Sequence, residues 1–258
     1  MANKNQNENY ENYFIAYFDI LGYEQKIKGL DDKGRIEFFD SIKETLEQAK
    51  NAVLEAGEGL EIELKMFSDN FFLCTKSNPI GLFFLVANIQ LYFSKENIFV
   101  RGAMCHSKLI YTDDFIFGEG IVAVHYLEDN LAIFPRIIVD DSYIDGIEKS
   151  SDFNASLLDC FVLEDFYRLK VVDYLNYLKF VLSSKDINKI QEYLSAHKTC
   201  IVKNLKNKKP RINPCIRQKY EWCRNYHNRF CEENEYEDFL ITDEDLIEDE
   251  KEPQPLGV

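Results

Sequence analysis

Tyr13-Phe14-Ile15-Ala16-Tyr17-Phe18-Asp19-Ile20-Leu21-Gly22-Tyr23 carries six aromatic or aliphatic residues into a single carboxylate, with a glycine three positions later. Such a run reads as a buried strand, because aromatic and β-branched side chains suit a pleated surface covered on both faces. An ionised carboxylate at the end of it is costly unless something cationic neutralises it. Asp19 therefore reads as a metal ligand or a catalytic group, and Gly22 as a place where backbone approaches closely.

Working outward, residues 24–56 space Ile27, Leu30, Phe39, Ile42, Leu46, Ala49 and Val53 largely by threes and fours. This predicts a long amphipathic helix after a lead-in at 31–34, ended by Gly57 and Gly59. Residues 60–67 alternate as a half-exposed strand and 71–75 form another, with Ser68-Asp69-Asn70 as the tight turn between them. Asn78-Pro79 caps a buried helix over 79–93. Residues 98–106 read as a strand, 109–117 as a hairpin arm, 118–128 as a helix opened by Gly118-Glu119-Gly120, and 133–139 as a strand. The order is βαββαβ, a ferredoxin-like α/β (α+β) sheet. Beyond it, 171–182 fits either strand or helix, while 185–207 and 214–232 form a helical extension interrupted by Pro210 and Pro214.

The 258 residues allow one large domain, read here as 13–232 between a flexible 1–12 and an acidic, disordered 233–258. The net charge of −15 is concentrated late in the chain. Residues 232–252 hold twelve acidic side chains against Lys251, whereas 198–229 hold ten Lys and Arg against Glu221 alone. That juxtaposition suggests intramolecular pairing beside simple solvation. No export signal or membrane-spanning run is visible, so the expectation is a cytoplasmic protein with neither a membrane nor a nucleic acid as partner. The seven scattered cysteines fit reduced thiols, and Cys215, Cys223 and Cys231 beside His227 are too widely spaced for an ordinary structural zinc site. A Walker-type phosphate loop is absent, and the four histidines lack a Ser or Cys arrangement for nucleophilic catalysis.

Asp19 and Asp69 thus stand at the ends of strands that this topology makes neighbours. Paired carboxylates repel unless cations bridge them, and two divalent ions about 3.5 to 4 Å apart serve that purpose in phosphoryl-transfer sites. The turn 20–22 would offer backbone N–H groups to phosphate.

Phe18-Asp19-Ile20-Leu21-Gly22-Tyr23, Phe67-Ser68-Asp69-Asn70, Arg101-Gly102-Ala103, Gly118-Glu119-Gly120-Ile121-Val122 and Tyr126-Leu127-Glu128 resemble, in order and spacing, the motifs of class III nucleotide cyclases. They look most like the bacterial pyrimidine cyclases of Pycsar antiphage systems, and the stretch from Lys219 to Asn228 is similar to a late motif of those enzymes. The resemblance spans residues 13–229. It implies two Mn²⁺ or Mg²⁺ ions held by Asp19, Asp69 and the Ile20 carbonyl, Arg101 as a further catalytic group, and nucleotide contacts from Phe18, Leu21, Gly22, Tyr23, Lys65 and Phe67. It also implies a homodimer with sites at the interface, a pyrimidine nucleoside triphosphate as substrate, and a separate effector answering to the cyclic product in antiphage defence.

Two positions depart from the purine-forming members, which place an Asn and, four residues later, an Arg where this chain has Val122 and Tyr126. Arg101, Arg136 and Lys65 are the candidates to meet the developing charge in their stead. The departures favour a pyrimidine, UTP ahead of CTP. Lys65, where adenylate cyclases put a base-reading lysine, leaves a purine cyclase as the alternative, and an inactive nucleotide-sensing or interaction module is the reading from a different class.

Overall fold

The structure is a computed structural model that describes residues 9–55, 61–149, 158, 160–182, 186–207 and 213–247. Its first six major elements are β1 (Glu11–Ile20), α2 (Asp32–Glu55) preceded by the short α1 (Tyr23–Gly29), β2 (Glu63–Phe67), β3 (Asn70–Thr75), α3 (Pro79–Lys95) and β4 (Val100–Tyr111). β1 lies between β3 and β4, antiparallel to both, and β2 flanks β3, giving the order β2-β3-β1-β4. That is the expected ferredoxin-like arrangement, in which each helix crosses over one intervening strand.

Beyond β4, the short β5 (Ile116–Phe117) folds back on it, and α4 (Glu119–Leu131) leads to β6 (Ile137–Val139), which pairs parallel to β4. α5 (Asp141–Glu148) and the hairpin β7 (Val162–Glu164) and β8 (Lys170–Val172) complete the sheet, with β8 beside β6. The helical extension comprises α6 (Tyr174–Leu182), α7 (Ile187–Lys206) and α8 (Pro214–Glu233).

Several expected boundaries move for local reasons. The helix over 24–56 divides because Leu30 is extended and Asp31 starts a new turn, its carboxylate accepting from Gly34 N–H at 2.8 Å. Its glycine stop falls outside the described residues. The strand at 133–139 shortens to three residues behind Pro135, which lacks an N–H for the ladder. The ambiguous 171–182 is a strand and then a helix, divided at Asp173, whose carboxylate accepts from Asn176 N–H at 3.2 Å. Glu11 and Asn12, assigned to a flexible terminus, already pair with Leu109 and Lys108.

Alternation along β1 distributes its side chains between two cores. Phe14, Ala16, Phe18 and Ile20 join the larger cluster with α2, α3 and the helical extension, while Tyr13 and Ile15 join a smaller one with Val124 of α4. Odd positions of β1 thus look toward α4 and even positions away from it, the period-2 rule applied to a strand covered on both sides.

The segment expected to begin a disordered tail packs instead. Ile241 is buried, its carbonyl accepts from Arg224 Nε and Asn228 Nδ2, each at 3.0 Å, and Lys198 Nζ donates to the Leu240 carbonyl at 2.7 Å. Lys198–Asp245 at 3.0 Å and Arg224–Asp243 at 2.7 Å are ion pairs between the basic helices and the acidic segment. Residues 248–258 lie outside the described residues. Among those described, no helix is long and apolar enough to cross a membrane.

Candidate active site

Register assembles the site. Asp19 is paired with Asn70 on β3 and with Arg101 on β4, so all three project from the sheet face that α4 covers. Arg101 clamps Asp19 with two parallel bonds, Nε to Oδ1 at 3.1 Å and Nη2 to Oδ2 at 3.0 Å. The same Nη2 lies 2.7 Å from Oε1 of Glu128, a buried carboxylate on α4. Arg101 Nη1 also reaches the Ala132 carbonyl at 3.4 Å. The next residue holds the strands at this spacing: a Cβ on Gly102 would stand 2.2 Å from the Tyr17 carbonyl oxygen and 2.3 Å from Phe18 Cβ. Only glycine permits that approach.

Asp69 sits on the β2–β3 turn next to Ser68, whose φ of 59° is left-handed. Ile20 N–H donates to the Asp69 carbonyl at 3.2 Å, tying the turn to the end of β1. Asn70 Nδ2 donates to Asp69 Oδ1 at 3.2 Å and its own Oδ1 accepts from Tyr17 O–H at 2.7 Å, so the carboxylate is oriented through a short relay. Burial raises the Asp19 carboxyl above its ordinary value; Arg101 opposes the shift, and the charge of Asp69 adds to it. Burial likewise raises Glu128 and, with the charges of Glu128 and Asp19, pushes the Tyr17 phenol up to about 12.

The donor chemistry fits a hard divalent cation. Asp19 and Asp69 supply carboxylate oxygen, and Ile20, with its side chain in the core, offers only backbone toward the site. Glu128 and Asp129 add negative charge, and with His125 they place one ligand atom each within 4.8 Å of one another. The charges of Asp19, Glu128 and Asp129 act on Arg101, and that of Asp69 acts on Asp19, an acidic surplus that a dication would offset.

The other sequence-derived candidates divide. Phe18 is fully buried and stacks on Phe71 at 5.0 Å on the opposite sheet face, so its ring has no route to a nucleotide. Gly22 has φ 73° and caps α1, but Ile20 N–H is taken by Asp69 and Leu21 N–H by the Phe99 carbonyl at 2.8 Å. The expected cradle of N–H groups therefore loses two of its three donors. Leu21 packs against the larger core, and Tyr23 does the same, tilted against Phe38. Phe67 is 83% exposed beside the turn. Lys65 spends its ammonium on the carbonyls of Thr112 and Asp113, at 2.7 and 2.6 Å, over the Tyr111 ring. Arg136 is buried in an ion pair with Asp165 and flanked by Phe134 and Tyr167, a structural post that removes it from the candidates to meet phosphate charge. Val122 and Tyr126 are exposed on α4, 69% and 61%.

Two further residues stood in quoted motifs of the sequence without any role assigned to them. Glu128 continues the buried stripe Gly120, Val124, Glu128 of α4, and an acid at the fourth-residue repeat of an otherwise apolar face is the signal that could have found it. Lys219 of α8 lies within electrostatic reach of Asp19 and Arg101; burial and the Arg101 charge push its ammonium below the ordinary lysine value. Tyr220 beside it packs edge-on against Phe99 at 5.8 Å, bringing the extension to the end of β1.

Among solved structures, the chain is similar to the monomeric guanylyl cyclase domain of the RhoGC fusion protein from Blastocladiella emersonii, at 13% identity and a TM-score of 0.43, covering 63% of this chain and 95% of that one. It is also similar to an adenylate/guanylate cyclase/hydrolase from Silicibacter pomeroyi, at 14% identity and 0.42, covering 64% and 95%. A third is the guanylate cyclase domain of RhGC from Catenaria anguillulae in complex with GTP, at 13% and 0.42, covering 63% and 93%. No protein-family model matches the sequence, and no curated protein matches it.

Proposed function

We propose that this chain is a nucleotide cyclase of the class III type that converts a pyrimidine nucleoside triphosphate, UTP ahead of CTP, to its 3′,5′-cyclic nucleotide and pyrophosphate. The observation that carries the reading is the meeting of Asp19, at the end of β1, with the β2–β3 turn that bears Asp69, under the guanidinium of Arg101. Asp19, Asp69 and the Ile20 carbonyl would hold two Mn²⁺ or Mg²⁺ ions. When bound, the ions supply acidification of the ribose 3′-OH and charge neutralisation on the phosphates. The ribose 3′-OH loses its proton to solvent, O3′ attacks the α-phosphorus in line, the new P–O bond forms, and the bond to pyrophosphate breaks.

Arg101 is the donor that would meet charge on the phosphates, with Lys219, within electrostatic reach of both Arg101 and Asp19, as a second cation. The preference for a pyrimidine rests on Val122 and Tyr126, which offer no fork of donors where purine-forming enzymes have one. Engagement of Lys65 with two carbonyls further weakens a role in reading adenine. Phe67, Phe115, Phe117, Val122 and Tyr126 are each exposed, apolar surface of the kind that a second copy of the chain could cover, which is compatible with a homodimer. The product would act on a separate effector in antiphage defence.

Incubation of the full chain with each of the four NTPs and Mn²⁺, followed by product identification, tests the reading. A cyclic pyrimidine nucleotide formed by the wild type and lost in Asp69→Ala is expected. A cyclic purine would transfer the assignment to the purine enzymes. Binding of nucleotide without turnover of any would favour the inactive sensing module, a reading to which the clamp of Arg101 on Asp19 lends some support.

A further inference from the structure

The clamp poses a chemical difficulty for the site just proposed, and its geometry contains an answer. A carboxylate gripped by both arms of a guanidinium is a poor ligand for a dication, because the two cations repel across the shared group. Were Asp19 the sole anchor of Arg101, ion binding would either fail or release a long, charged side chain with no defined position. Arg101 has a second anchor: Nη2 lies 2.7 Å from Glu128 Oε1 while it also bonds Asp19 Oδ2 at 3.0 Å. Glu128 is 3% exposed and comes from α4, an element separate from the two strands that carry Asp19 and Arg101. Its contact with Arg101 is an ion pair whose angle falls short of a hydrogen bond, whereas the bonds to Asp19 are well formed. The arrangement has room to tighten on Glu128 as it loosens on Asp19.

We propose that Glu128 is the positioning residue for Arg101, keeping the guanidinium beside the site when Asp19 turns to a divalent cation, so that the freed arm of Arg101 faces the substrate's phosphates. The inference rests on the two-carboxylate ion site of the preceding section. It assigns to a helix residue of this chain the task of orienting a charge donor that is otherwise committed to a metal ligand.

Mn²⁺ binding to the full-length protein, followed by loss of the free-ion electron paramagnetic resonance signal, tests the inference without turnover. Glu128→Gln keeps the side chain's size and an amide oxygen but removes the charge that competes for Arg101. Asp19 is then the one carboxylate paired with the arginine, and Mn²⁺ affinity falls about tenfold, the size of an ordinary coupling between contacting side chains. In the Arg101→Ala background the same substitution has no such effect, because there is no arginine left to compete. Glu128→Asp, which retains the charge but shortens the reach, falls between wild type and Glu128→Gln, and provides a second variant should the glutamine protein fold poorly.

Equal affinity of Glu128→Gln and wild type overturns the inference. So does a tenfold loss that persists in the Arg101→Ala background, which would mean that Glu128 acts on the ion directly. If wild type binds Mn²⁺ and Asp69→Ala does not, while the Glu128 variants behave as wild type, the positioning role alone is lost. If wild type and Asp69→Ala are equally unable to bind, the ion site and the inference built on it both fall.

Discussion

Acid should loosen the C-terminal extension through two buried histidines, and the size of the effect follows from their surroundings. His197 of α7 and His227 of α8 are both fully buried, with their Nδ1 atoms 3.0 Å apart. His227 Nε2 lies 3.0 Å from the Phe239 carbonyl, which can only accept, so His227 carries its proton there. His227 Nδ1 is then the acceptor, His197 Nδ1 donates to it, and His197 Nε2 accepts from Tyr174 O–H at 3.1 Å. Both rings are satisfied as neutral species, and an added proton on either would have to force this chain apart.

Burial, with Lys198 acting in the same direction, lowers His227 to about 4, from an ordinary 6.5. A histidine whose folded value is depressed binds more protons when unfolded, so stability is full above about 6.5 and declines as pH falls toward 4. At 1.36 kcal/mol per unit, His227 alone costs about 2 kcal/mol at pH 5 relative to pH 8, and about 3 kcal/mol once the window is crossed. For a domain of this size that corresponds to roughly 4–8 °C in Tm at pH 5.

The assay is urea or thermal unfolding of wild type and His227→Gln at pH 8 and pH 5. Glutamine can still donate to the Phe239 carbonyl and accept from His197 but does not titrate. The wild-type loss between the two pH values should exceed that of the variant by about 2 kcal/mol. Identical pH dependence in the two proteins would refute the reasoning, whatever their stabilities at pH 8.

Gly102→Ala should destabilise the fold by about 1–3 kcal/mol or more and abolish activity, since its Cβ meets β1 backbone and must push Arg101 off Asp19; unfolding curves and cyclase assays check this. Asp165→Ala should cost about 3–5 kcal/mol in urea unfolding, because it strips the buried Arg136 of its counter-charge. Arg136→Met should cost less, since Asp165 still accepts from the N–H groups of Tyr167 and Leu169. Removal of residues 234–258 should lower stability by about 1.5–3 kcal/mol through Ile241 alone, measured by the same curves, and loss of the Asp243 and Asp245 pairs should make the intact protein more salt-sensitive than the truncated one.

The order of elements through β6 was legible in the sequence because each signal is local. Apolar periodicity separates helix from strand, and Asn78-Pro79 marks a helix start through chemistry contained in a few residues. The two carboxylates were legible for the same reason: a charge ending an apolar strand and another in a turn stand out without any partner in view. Which residues surround them was decided only by tertiary structure. Whether position 18 or 19 enters the site depends on which sheet face α4 covers, and that put the Phe18 ring in the opposite core. Lys65 and Arg136, free cations on paper, were committed to carbonyls and to Asp165 by elements far along the chain. Glu128 reaches Arg101 only because β4 and α4 pack together, a contact of 27 positions' separation that no local pattern encodes. For the acidic segment the sequence offered both solvation and pairing with the basic stretch, and tertiary structure chose pairing over residues 234–247, because Ile241 and a set of charge-assisted bonds find partners on α7 and α8. Local chemistry selected the elements and flagged the costly carboxylates; the pairing of distant strands and helices determined what neutralises them.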